Sequence, residues 1–242
     1  YHKGRYQDVV DHGRDLLQKS PVPELVPEMN RIIGESYYKL GVESVAGQFL
    51  EAYLASNQST PVNSAVYIMG VIDYNQGNYL RATELFGSLT DLDNEIGQSS
   101  YLYLGQCAMR SKDYSSAAIA FEKAYSPGYD MKVSETALYN YAVACTSGGK
   151  VPFGSSIDLL ETFIKTYPKS QYASTVDEFL ATAYYNERDY HKALASIERI
   201  ANPKEKVLAA KQKVLYELGI EALSNGRNDD AIDYMTKAAK LG

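Results

Sequence analysis

Cradling a phosphate takes glycines and a lysine in the order Gly-x4-Gly-Lys-Ser/Thr, because backbone N–H groups must turn toward the oxygens. The pair Gly149-Lys150 has Ala144 where the first glycine should stand and Val151 where the hydroxyl should stand, so it reads as an inter-helix turn. Nucleophilic and zinc chemistry fare no better, since neither Gly-x-Ser-x-Gly nor His-Glu-x-x-His occurs and the only histidines are His2, His12 and His191. Asp91-x-Asp93-x-Glu95 has the alternating carboxylates of a calcium loop. Its glycine comes at 97, one residue late, so an acidic turn favouring the next helix N-terminus is the better reading. Cys107 and Cys145 are far apart and form no CxxC, and they suit small apolar positions between helices. No catalytic residue, metal ligand or cofactor is expected. The type that stands out is tyrosine, 22 residues against no tryptophan. A phenol offers broad contact area, a hydroxyl handle and little ordering entropy, which is recognition chemistry.

The elements that would position these tyrosines follow from a repeat. Gly77-Asn78-Tyr79-Leu80-Arg81-Ala82, Lys112-Asp113-Tyr114-Ser115-Ser116-Ala117 and Arg188-Asp189-Tyr190-His191-Lys192-Ala193 are three copies of one fragment. Four residues after each alanine comes Phe86, Phe121 or Ile197, and three further on comes Leu89, Ala124 or Ile200. Spacings of four and seven mark one face of a helix that starts near the tyrosine. Upstream of each lies a second periodic stretch centred on a small residue, at 34, 70, 105, 142, 181 and 219, so the intervals are 36, 35, 37, 39 and 38. Each period is therefore a helical hairpin whose small residue lets two backbones approach. The spacing predicts helices at 6–19, 24–40, 43–57, 63–76, 79–90, 97–111, 114–126, 133–147, 154–167, 170–187, 190–201, 204–225 and 228–241. Breakers separate them, among them Pro21-Val22-Pro23, Pro61, Pro168 and Pro203, and the turn Gly148–Phe153 is longer than its equivalents.

Composition agrees with a folded helical chain. Its 242 residues are 45% hydrophobic and 22% charged, which excludes disorder and low complexity. Lys and Arg total 24 against 30 Asp and Glu, for a net charge of −6, and no basic stripe is present, so nucleic acid is not an expected partner. The longest uncharged apolar stretch, 65–72, is too short to cross a bilayer, so no membrane insertion is expected.

Tyr101, Leu104-Gly105, Tyr114, Ala117, Phe121 and Ala124 together resemble the tetratricopeptide repeat signature, as do Gly70, Gly77, Tyr79, Ala82 and Phe86. The family's tryptophan position holds Asn30, Val66, Leu138, Asp177 and Leu215, and its closing proline is mostly missing. The resemblance covers nearly the whole chain. It implies an all-α fold, a right-handed α-α superhelix or solenoid of about six to seven helical hairpins. The units fall at 1–22 (partial), 23–60, 61–95, 96–130, 131–169, 170–203 and 204–242, in a single solenoid over 1–242. Phe163 to Pro168 and Asn225-Gly226 resemble parts of large multi-repeat proteins of Gram-negative gut bacteria, which implies a periplasmic or outer-membrane-associated setting. The first helix of the first unit is missing and no polar cap follows the last, so the ends are expected to self-associate between copies or to fray.

In this family one face of each hairpin's first helix lines a concave groove. Counting around each small residue puts Arg31, Glu35 and Tyr38 there, then Tyr67 and Tyr74, then Gln106, Met109 and Arg110, then Tyr139, Glu178, Tyr185 and Tyr216. Members that hold C-terminal carboxylates use Lys and Asn on this face. Here those places read Arg31/Glu35, Tyr67/Val71, Tyr139/Val143 and Tyr216/Ile220, so chaperone-tail binding is not implied. The reading is a non-enzymatic scaffold whose tyrosine-lined groove takes a protein or peptide partner. Two alternatives are a glycan-binding module and the interaction arm of an enzyme whose catalytic domain lies elsewhere.

Overall fold

The computed structural model describes residues 4–19, 22–56, 59–148 and 156–241, and all the regular structure among them is helical. The helices are α1 (Tyr6–Lys19), α2 (Val26–Lys39), α3 (Glu43–Leu54), α4 (Asn63–Asn75), α5 (Tyr79–Gly87), α6 (Glu95–Arg110) and α7 (Tyr114–Tyr125). They continue as α8 (Met131–Thr146), α9 (Ser156–Thr166), α10 (Ala173–Asn186), α11 (Tyr190–Glu198), α12 (Glu205–Ser224) and α13 (Asn228–Ala239). Each expected helix is present, and α5, α7 and α11 begin at the repeated tyrosine. The long turn 149–153 lies outside the described residues.

Several boundaries differ from expectation by two or three residues, and two of them have clear local reasons. Pro23–Leu25 forms a 3-10 turn and α2 starts at Val26 with Pro27 in its first turn, where a missing N–H leaves no bond unmade. α5 stops at Gly87 because Leu89, Thr90 and Leu92 donate to carbonyls three residues back (3.0, 3.4 and 3.3 Å), the pattern of tightening turns.

Among the described residues the same turn device recurs in several hairpins. One residue takes a left-handed backbone, and the N–H of the next donates back five residues, closing the helix end by a Schellman bond. Asn78 N–H donates to Asp73 at 2.8 Å, Asp113 to Ala108 at 2.9 Å, Asp189 to Tyr184 at 2.9 Å and Arg227 to Ala222 at 2.8 Å. Gly77 takes the left-handed position at φ 84°, but Lys112 and Arg188 hold it at φ 60° and 63° despite their Cβ atoms. Asp113 and Asp189, next in sequence, then cap the following helices, accepting from Ser116 and Lys192 N–H at 3.1 Å each.

Within a hairpin the two helices touch where the first has its small residue. A Cβ on Gly105 would stand 2.5 Å from the Phe121 ring, and one on Gly70 would stand 2.9 Å from Phe86. Gly34 faces Leu50 and Gly219 faces Met235 in the same way, sixteen residues on in every case. Phe86, Phe121 and Phe163 are among the largest fully buried side chains.

The chain forms two compact units, Tyr1–Ser134 and Glu135–Gly242. In the first, Ile33, Leu50, Ile68 and Ile72 centre a core over α1 to α4. Gln98 is buried there with its amide satisfied: Nε2 donates to Ala124 O and Ser134 Oγ, each at 2.9 Å, and Oε1 accepts from Asp130 N–H at 2.7 Å. In the second, α9 to α13 pack in sequence order around Leu160, Phe163, Val176, Leu180, Leu215 and Leu218. Asp177, nearly buried, is held by Arg199 from α11's end (Nε at 2.9 Å), and desolvation pushes its carboxyl above the usual range despite that cation.

Candidate functional site

The side chains named from the sequence separate into three environments. Arg31 and Glu35 are internal braces. Glu35 is 1% exposed, accepts from Ser64 Oγ at 2.7 Å, and lies 2.9 Å from Arg31 Nη1, so it fastens α2 to the start of α4. Arg31 reaches Glu28 as well, at 2.5 Å, and this partner chiefly raises its pKa while holding the Glu28 carboxyl below its ordinary range. A carboxylate this deep presents nothing to a partner.

Tyr38, Tyr67 and Tyr74 gather in the first unit, half-buried around Phe86. The ring at their centre is Tyr103, which the counting passed over. It stacks on Phe86 (centroids 4.8 Å apart, planes 9°) and meets Tyr74 and Tyr67 edge-on at 5.3 and 6.1 Å. Tyr67 adds an edge contact to Phe86 at 5.8 Å. Burial pushes the Tyr38, Tyr67 and Tyr103 phenols above their ordinary pKa, as a ring wedged between helices requires. Arg110 is exposed at the margin, its guanidinium 5.9 Å above the Tyr79 ring and hydrogen-bonded to Tyr74, while Gln106 lies half-buried on α6. A signal for Tyr103 was available: it lies three residues before Gln106 and seven before Arg110, on their stripe.

The second unit holds the remaining four. Tyr139 stacks on Tyr172 (4.2 Å, 11°) with its edge to Phe163, so it too is packing, and burial raises its pKa. Tyr216 is 53% exposed on α12. Glu178 and Tyr185 project from α10 into an open groove of about 880 Å³ between α10 and α12, bounded at one end by the last turn of α8. Its floor is aliphatic, made of Ala181, Ile197, Ile200, Val207 and Val214. Its rim carries Glu178 and Thr182 on one side and Lys206, Ala210 and Lys213 on the other. Among the described residues neither Lys206 nor Lys213 is ion-paired. Both were missed because the counting was anchored at Gly219 and stopped at Tyr216; carried about three turns further back along α12 it reaches Lys213 and then Lys206. The groove falls in the size range of ligand sites and combines apolar walls with a few placed charges.

The other candidate chemistries have structural explanations. Asp93 accepts from the Tyr129 phenol at 2.7 Å, and Asn94 caps α6 through Ile96 and Gly97 N–H at 2.9 and 3.2 Å. Among the described residues no group of three His, Cys, Asp or Glu is placed to hold a metal, and no helix is long and apolar enough to cross a membrane. Cys107 and Cys145 are buried, with burial raising the Cys107 pKa; His2 and Gly149-Lys150 lie outside the described residues.

Comparison with known proteins places this architecture. Residues 69–130, the end of α4 through α7, match the tetratricopeptide repeat family. No curated protein matches the chain. Among solved structures, the apo form of RapI is similar over 99% of this chain and 92% of its own, at 13% identity and a TM-score of 0.54. A tetratricopeptide repeat protein from Parabacteroides merdae is similar over 98% of this chain and 93% of its own, at 14% identity and a TM-score of 0.51. At such identities the likeness is one of fold, which is the all-α fold of tetratricopeptide solenoids. Residues 69–130 thus match the tetratricopeptide repeat family, and the described hairpins on either side share the all-α fold of these solved structures.

Proposed function

We propose that the chain is a protein-recognition scaffold whose working surface is the α10–α12 groove of the second unit. Tetratricopeptide folds generally mediate protein–protein interaction and are generally non-catalytic, and this groove offers room for a ligand. The observation that carries the reading is the pairing of an aliphatic floor with two rim lysines, Lys206 and Lys213, that form no ion pair among the described residues. Apolar side chains of a partner would displace water from Ile197, Ile200, Val207 and Val214, at roughly 25 cal/mol per Å² of apolar surface removed from water. A carboxylate on the same partner would meet Lys206 or Lys213, which sets orientation and encounter rate more than affinity. The expected ligand is thus a short protein segment with apolar residues beside Asp or Glu.

Selection from a random peptide library displayed on phage tests this. The wild-type chain should enrich apolar-acidic peptides, and Ala210→Arg, which puts a long cation at an exposed position of the groove, should lose them while keeping its helicity. Enrichment of the same peptides by both proteins would sink the proposal.

A further inference from the structure

α12 is 20 residues long, and one side of it is used up: Val207, Val214, Leu215, Leu218, Gly219 and Ala222 are buried. The opposite side reads Lys206, Ala209, Lys213, Tyr216, Ile220 and Leu223, at successive intervals of 3, 4, 3, 4 and 3. A 3-4 alternation is the a/d seam that a second helix covers in a coiled coil. Here the seam is open, with Tyr216 53%, Ile220 40% and Leu223 57% exposed. Three large apolar side chains aligned along one exposed stripe mark an interaction surface.

The seam is complementary to itself. Turning a second α12 antiparallel about the midpoint between Val214 and Leu215 sets Lys206 opposite Leu223, Ala209 opposite Ile220 and Lys213 opposite Tyr216. Small then meets large at Ala209–Ile220. At the centre each lysine lies over the other copy's phenol ring, with Glu217 one residue on, so cation meets aromatic face and carboxylate. A parallel in-register pair would instead set Lys206 on Lys206 and Lys213 on Lys213, which like-charge repulsion opposes. Slipping the antiparallel pair by one heptad leaves either Ile220 and Leu223, or Lys206 and Ala209, with nothing opposite. We infer that this face of α12 is the interface between two copies of the chain, paired antiparallel about a two-fold axis beside Val214–Leu215. The arrangement is isologous, so it closes at two copies.

Lys206, Ala209 and Lys213 border both this face and the α10–α12 groove, whereas Ala210 lines the groove alone and Ile220 the seam alone, so separate substitutions test the two. In sedimentation equilibrium the wild-type chain should reach twice its 26.8 kDa as concentration rises from low micromolar to submillimolar. Ile220→Glu should stay at the single-chain mass with unchanged helicity, and Ala210→Arg should still pair. Register is read by oxidation: Ala209→Cys mixed with Ile220→Cys should give a disulfide-linked dimer, and Ala209→Cys alone should not. A single-chain mass at every concentration overturns the inference. So does a dimer that survives Ile220→Glu, or an Ala209→Cys chain that links to itself.

Discussion

Replacing Tyr103 by alanine should cost the first unit substantial stability, although the ring is only half-buried. The ring stacks on Phe86 at 4.8 Å and contacts two further tyrosine edges at 5.3 and 6.1 Å. Removing a fully buried aromatic ring costs about 3–5 kcal/mol, and a half-buried one about 2 kcal/mol. Losing its aromatic pairs adds on the order of 1 kcal/mol, for a total of about 3 kcal/mol. Tyr103→Phe keeps the ring and should cost less than about 1 kcal/mol, and Tyr216→Ala, exposed on α12, should stay within about 0.5 kcal/mol. Urea unfolding followed by far-UV circular dichroism measures all three, provided the m-values agree. Alkaline pH adds an independent readout. Burial is the main cause that raises the Tyr103 phenol above its ordinary value of 10.0, with the neighbouring tyrosines and Glu43 adding to it. The folded state thus favours the neutral phenol. That contribution is complete below the ordinary pKa and fades as pH rises through the higher folded value. The wild type should therefore lose stability in alkali more steeply than Tyr103→Phe. If Tyr103→Ala unfolds no earlier than Tyr216→Ala, the tyrosine cluster is not a packing unit and the division between packed and presented rings fails.

Further outcomes follow from the hairpins. Gly105→Ala should cost about 1–3 kcal/mol in a thermal or urea melt, because its Cβ would stand 2.5 Å from the Phe121 ring. Gly87→Ala, whose Cβ meets nothing within 4 Å, should gain up to about 1 kcal/mol. Arg188→Gly relieves a left-handed backbone at φ 63° and should stabilise by about 1 kcal/mol; an unchanged melting temperature would remove the strain argument. Arg199→Met strands the buried Asp177 carboxylate and should cost about 2 kcal/mol near neutrality, discounted for the half-exposed arginine. Because the folded Asp177 carboxyl sits above its ordinary pKa, that loss should shrink as acid protonates it; a pH-independent loss would contradict the assignment.

The hairpins were legible because each depends on residues close in sequence. A left-handed turn residue, a cap, a tyrosine, an alanine and a bulky residue recur in order, and the small residue sixteen before the bulky one closes the pair. Helix ends were legible to within three residues, and proline at 23 and 27 and the tightening turn after Gly87 account for two of the differences. The groove was legible only in part. A helical stripe fixes which side a tyrosine occupies, but whether that side meets water depends on the next helix. Tyr67 and Tyr74 lie on the expected stripe of α4 and are covered because Tyr103 of α6 stands beside them. Glu35 lies on the expected stripe of α2 and is buried because Ser64 and Arg31 close over it. Glu178 and Tyr185 face an open groove because α12 lines its far side with alanines, valines and lysines, none of which closes the gap.

The most direct measurement is isothermal titration of one library-selected peptide into the wild type, Ala210→Arg and Lys213→Glu. The groove account predicts binding to the wild type, loss of heat with Ala210→Arg, and at least about tenfold weaker affinity, some 1.4 kcal/mol, when Lys213→Glu sets carboxylate against carboxylate. Equal affinity for all three proteins would contradict it and put the recognition surface elsewhere on the chain.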